Sequence, residues 1–135
     1  MKTDKSKIKL IFVIFGDLLN PQDFTHLIDI KPTAFWKIGD KIQSRNDLFR
    51  KESAWQYEIG FTESLFFQDI STLFISIFEN KIKLIEKYIK LNSLEVKFYI
   101  VCEMGNYETP ALFFDRLFLN IVNILNAEID IDLYK

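Results

Sequence analysis

Two spacings of apolar residues take turns along the chain. From residue 7 to 15, Ile8, Leu10, Phe12 and Ile14 fall on one side of an extended backbone, and Lys9, Ile11, Val13 and Phe15 on the other, because strand side chains alternate. Both sides are largely apolar, which predicts a central strand. Residues 53–61 alternate as well, with Trp55, Tyr57, Ile59 and Phe61 opposite Gln56 and Glu58. In 94–104, Val96, Phe98, Ile100, Cys102 and Met104 oppose Lys97, Tyr99, Val101 and Glu103. In 127–134, Ile129, Ile131 and Leu133 should face inward and Glu128, Asp130 and Asp132 outward. Between these segments the period lengthens to three and four. Phe67, Ile70, Phe74, Phe78, Ile82, Ile85 and Ile89 make one stripe over 65–91, long enough to predict a break near Glu79-Asn80. Ser64 or Thr62 would cap its start. Asn20-Pro21 reads as an N-cap followed by proline at the first helical position, with Asp23 in the first turn. A short helix over 21–28 would bury Phe24, Leu27 and Ile28. A third helix, over 110–126 from a start at Thr109-Pro110, would carry Leu112, Phe113, Leu117, Ile121 and Ile124.

One stretch obeys neither period: IKPTAFWKIGDK, residues 30–41. Pro32 biases Lys31 towards an extended backbone, and Gly39-Asp40 signals a turn. A short irregular strand near 34–38 fits between them, and 41–52 reads as a mobile polar run. The order is strand, helix, one or two strands, helix, strand, helix, strand. It predicts an α+β fold: a mixed, largely antiparallel sheet of four to five strands with helices mainly on one face. Ferredoxin-like is the nearest named topology. Neither a repeat nor a linker divides residues 1–135, so one domain is expected.

Composition narrows the function. With 135 residues and 14 Phe, a core can form without disulfides or metal. The single Cys fits a reducing compartment. The apolar run LIFVIF is six residues long and is followed by Gly16-Asp17 with no small-residue cleavage site, so it reads as a strand and not as a secretion signal. No run approaches a membrane span, and the cytoplasm is the expected location. The net charge of −2 points to neither nucleic acid nor membrane.

FGDLLNPQDFTHLIDIKPTAFWKIGDK resembles the start of the bacterial family catalogued as domain of unknown function 4279. The resemblance rests on a G-D pair after the first strand, a P-x-x-[FIL]-T helix start and a P-T-x-x-W-x-x-G-D segment. These fall here on Gly16, Asp17, Pro21, Thr25, Pro32, Thr33, Trp36, Gly39 and Asp40. Trp55 on the next strand and a final I-D-I-D-x-Y strand, Ile129 to Tyr134, also fit. The resemblance implies a fold and a size. It transfers no reaction, cofactor or catalytic residue.

Candidate chemistry is sparse. His26 lies about 200° round a helix from Phe24, on the exposed side, and has no second His at metal-ligand spacing. Cys102 belongs to an inward series and reads as a core thiol. The four glycines are ungrouped and make no phosphate cradle. Asp130 and Asp132 lie about 6–7 Å apart on one strand face, a solvated edge that discourages pairing. Gly16-Asp17 and Gly39-Asp40 read as two turns. Residues 31–51 balance to +4 and residues 103–135 to −4, so no patch of one sign dominates as phosphate binding requires.

The outer sheet face carries the functional expectation. Ile11, Val13, Phe15, Tyr99 and Val101 should lie there with charge around them, and such a surface rarely stays open to water. Either residues 30–41 fold across it with Phe35 and Trp36 packed down, or a second chain covers it. Equally, those residues could be a plain connection with Trp36 in the helix-side core. The expected function is a non-enzymatic protein-interaction or binding module without cofactor or metal, homodimeric or with a protein partner. Two other readings stay open. One is an immunity-type protein that neutralises a toxin with its acidic C-terminal edge. The other is a small ligand-binding protein or enzyme using Asp17 and Asp40 in a cleft roofed by Trp36. The candidate motif is Gly16, Asp17, Pro32, Thr33, Trp36, Gly39, Asp40 and Trp55.

Overall fold

The structure, a computed structural model, describes residues 5–43, 47–106 and 108–134. The alternating segments form β1 (Lys7–Gly16), β3 (Ser53–Glu63), β4 (Glu95–Glu103) and β5 (Glu128–Tyr134), and the stretch without a period contributes the short β2 (Ala34–Trp36). The segments of longer period form α1 (Pro21–Ile28), α2 (Phe67–Phe78), α3 (Ile82–Leu91) and α4 (Arg116–Ile124). A 3-10 turn at Glu79–Lys81 separates α2 from α3, where the overlong stripe predicts a break. The polar pair Glu79-Asn80 lets the chain re-aim there while Phe78 and Ile82 stay buried.

The sheet order is β2-β3-β1-β4-β5, with β1 central as its two apolar sides require. Neighbours run antiparallel except β4 and β5, which are parallel. A parallel pair needs a crossover, and α4 supplies it. The result is an open, mixed, five-stranded α+β fold. The ferredoxin-like arrangement is not confirmed. β3 and β4 do flank β1 in a split β-α-β unit, but β5 adds a parallel strand beyond the four of that topology.

One core fills the space between sheet and helices. Phe12 lies at its centre, with the rings of Phe98, Phe74, Phe78 and Trp55 at 5.0, 5.1, 5.2 and 6.2 Å. All seven residues of the predicted 67–89 stripe are buried. Burying each aromatic ring contributes about 1.5–3 kcal/mol, so the sheet's helix side is its stable foundation.

Four expectations need correction. α4 begins at Arg116, capped by Asp115 Oδ1 accepting from Phe118 N at 2.9 Å. The stretch before it is extended, because Ala111 N donates to Leu65 O at 2.6 Å and Ala111 O accepts from Phe67 N at 3.0 Å. Phe113 and Leu117 are therefore exposed. Leu27 is exposed too, since α1 turns only Pro21, Phe24 and Ile28 to the core. Phe61 changes face: a register shift between Ile8 and Leu10 against β3 rotates it outward, and Lys9 Nζ lies 4.7 Å from its ring. Ser64 does not cap α2, whose N-cap position is Phe66. The Ser64 hydroxyl instead accepts from Phe66 N at 3.0 Å and donates to Asp69 Oδ2 at 2.9 Å.

Candidate functional site

The motif residues fasten three elements to one another. Gly16 ends β1 at φ +153°, and a Cβ there would sit 2.8 Å from Leu94 Cδ2. Both the backbone angle and the close approach call for glycine. Asn20 caps α1, its Oδ1 accepting from Asp23 N at 3.1 Å, and its own N–H donates to the Tyr88 hydroxyl of α3 at 3.2 Å. Thr25 joins α1 to β3. Its hydroxyl donates to Pro21 O at 2.8 Å and accepts from Trp55 Nε1 at 3.0 Å, so the fully buried indole keeps its N–H satisfied.

Residues 30–41 extend the sheet. After Pro32, Thr33 N donates to Gln56 O at 2.8 Å, and the Thr33 hydroxyl accepts from Glu58 N at 2.9 Å. β2 then pairs with β3, setting Phe35 opposite Trp55 and Trp36 opposite Ala54. The turn is closed by Asp40 N donating to Lys37 O at 3.0 Å and by Lys37 N donating to Asp40 Oδ2 at 2.8 Å. Gly39, at φ +89°, takes a conformation that side chains resist. The chain returns through Ile42 N to Leu48 O and Arg50 N to Asp40 O. Residues 44–46 of the polar run expected to be mobile lie outside the described residues.

The stretch is thus an edge strand and a turn, neither folded across the outer face nor buried on the helix side. Trp36 still reaches the outer face, being in register with Ala54, and the Arg50 guanidinium stacks 3.9 Å from its ring. Phe35 points to the helix side and is half exposed.

The outer face can be read row by row from the register. Trp36, Ala54, Phe15 and Glu95 form one row; Ala34, Gln56, Val13, Lys97 and Glu128 the next; Glu58, Ile11, Tyr99 and Asp130 the third. A groove of about 510 Å³ runs over the first rows, floored by Ile11, Val13, Phe15 and Ala54 and walled by Trp36 and Tyr99. Glu52, Gln56 and Lys97 are its polar margin. Lys97 Nζ lies 5.5 Å from the Tyr99 ring.

The other candidates behave as ordinary side chains. Asp17 and Asp40 are exposed and neither lines the Trp36 groove. His26 is exposed beside Pro32 and Phe35. Cys102 is fully buried, and desolvation pushes its thiol above the ordinary value of 9.0. Among the described residues, no group of three or more His, Cys, Asp or Glu gathers as metal ligands, and no helix is long and apolar enough to cross a membrane. Sequence reasoning missed two parts of the outer face. Arg50 reaches Trp36 only through the return of the loop, and Phe61 reaches it only through the bulge.

Neither the curated proteins nor the solved structures contain a match to this chain. The family model described as Domain of unknown function (DUF4279) matches residues 6–135. That match spans the α1 clamp, the Thr33-anchored edge strand and the final strand, and the chain belongs to this family.

Proposed function

We propose that the protein is a non-enzymatic interaction module that associates with a second copy of itself through the outer face of the sheet. The observation that carries this reading is the groove flanked by Trp36 and Tyr99 over an apolar floor of Ile11, Val13, Phe15 and Ala54. An aromatic pair around an apolar centre with a charged margin is the composition of an interface core and its rim.

A second copy suits this face because its margin carries both signs. Glu52 lies on the β3 side and Lys97 on β4. Neither forms an ion pair among the described residues. A two-fold axis along β1 lays the β3 side of one copy over the β4 side of the other, so Gln56 of each faces Lys97 of its mate, both being level with Val13. A two-fold contact must be self-complementary in this way.

Sedimentation velocity over a concentration series tests the reading. Wild-type protein should dimerise, and Ile11→Lys and Phe15→Lys, which each set like charge against like charge along the β1 axis, should each weaken the dimer. A monomer at all concentrations, or a dimer indifferent to both substitutions, would sink it.

A further inference from the structure

We propose that the free edge of β5 binds an extended segment of a partner protein whose side chains alternate basic and apolar. β5 ends the sheet, so among the described residues one side of its backbone is unpaired. The opposite edge, β2, is only three residues long, preceded by Pro32 and followed by a turn. By contrast β5 runs seven residues in unbroken register with β4. It contains no proline, no bulge and no inward charge, and of the devices that blunt an edge it keeps only its outward acids.

The backbone direction follows from one hydrogen bond. Tyr134 O accepts from Met104 N at 2.9 Å, on the β4 side. Backbone groups alternate from residue to residue along a strand, so Asp132, Asp130 and Glu128 also turn theirs to β4. The N–H and C=O groups of Ile129, Ile131 and Leu133 turn to the free edge. The side chains of these three face the helix layer, in register with Phe98, Ile100 and Cys102, yet α4 leaves Ile131 39% and Leu133 53% exposed. An added strand would cover that half-open apolar row while pairing the free backbone groups, as in β-augmentation.

The opposite face of β5 selects the occupant. Glu128, Asp130 and Asp132 are exposed, and no ion pair among the described residues involves them. Directly opposed residues of paired strands share a face. Antiparallel pairing of β5 with the β5 of another copy therefore sets acid against acid at each outer position, which is destabilising. An incoming strand with Lys or Arg at those positions meets the row favourably. The edge is closed to its own kind and open to a basic amphipathic strand. This site lies beside the Trp36 groove and does not depend on it.

The probe is a fluorescein-labelled peptide as long as β5 with alternating Lys and Val, followed by anisotropy. Its controls are a peptide of the same composition in shuffled order and an alternating Glu and Val peptide. Wild-type protein should bind the alternating basic peptide saturably and the shuffled one about tenfold more weakly. Ile131→Pro removes an outward N–H that β4 does not use, so the strand should persist while binding falls about tenfold. The surface variant Asp130→Lys/Asp132→Lys should switch preference to the Glu and Val peptide. Trp36→Ala should leave peptide binding unchanged, which separates this site from the outer-face dimer. The proposal is overturned by equal binding of the shuffled peptide, by Ile131→Pro binding as wild type does, by no binding at all, or by a β5-mediated dimer that Ile131→Pro dissociates.

Discussion

Replacing Thr25 with Val keeps the side chain's shape and removes one hydroxyl, and the cost can be worked from the geometry. That hydroxyl accepts from Trp55 Nε1 at 3.0 Å, and Trp55 is 0% exposed. Without Thr25 Oγ1 the indole N–H is left buried and unpaired, which costs about 1–3 kcal/mol. The hydroxyl's own bond to Pro21 O stays within one helix and adds little, because a helical carbonyl at that position is also served by the backbone N–H four residues on. In urea the stability slope is roughly 1–3 kcal/mol per molar, so the midpoint should fall by about 1 M with the slope unchanged. Thr25→Ser retains the acceptor and should lose less than about 1 kcal/mol. Trp55→Phe loses ring volume as well as the donor, and its penalty should overlap that of Thr25→Val, so the double variant should be less destabilised than the sum. Additive effects, or a Thr25→Val protein as stable as wild type, would show that the motif's helix-to-strand clamp is not what holds α1 on β3.

Gly16→Ala should cost about 1–3 kcal/mol from its backbone angle and from contact with Leu94 Cδ2 at 2.8 Å; trimming Leu94 to Ala should relieve only the contact, as thermal unfolding would reveal. Phe74→Ala, in the centre of the ring cluster, should cost about 3–5 kcal/mol, whereas Leu117→Ser on exposed α4 surface should stay within about 0.5 kcal/mol by the same denaturation assay. Cys102 should resist thiol reagents in the native state and react on unfolding. Its folded pKa is raised above 9.0 by burial, so the folded state holds the proton longer. Stability should then decline as pH rises above the unfolded thiol's value and be unaffected by this group below it; a Cys102→Ala variant with the same alkaline decline would refute that assignment.

Local periodicity made much of the fold legible. β1 shows its central place through two apolar sides, and the stripe from Phe67 to Ile89 shows both helices and the break between them. Asn20-Pro21 fixes the start of α1 because capping chemistry is written in adjacent residues. What depends on distant pairing was not legible. Phe61 belongs by alternation to the inner face, and only the shifted register against Ile8 and Leu10 turns it out. Pro110 mimics a helix start, but Ala111 is held extended by Leu65 and Phe67. Trp36 carried a recognisable motif position, yet its face was decided by the pairing with Ala54. Its cover by Arg50 required a loop whose return could not be read from spacing.

Iodide quenching of tryptophan fluorescence across a protein-concentration series tests the central claim most directly. Trp55 is fully buried, so the quenchable emission reports on Trp36 at the groove. Association through the outer face predicts that the quenchable fraction falls as concentration rises, and that a Trp36→Phe protein shows little quenching at any concentration. A quenchable fraction that stays constant through the whole series would contradict the account.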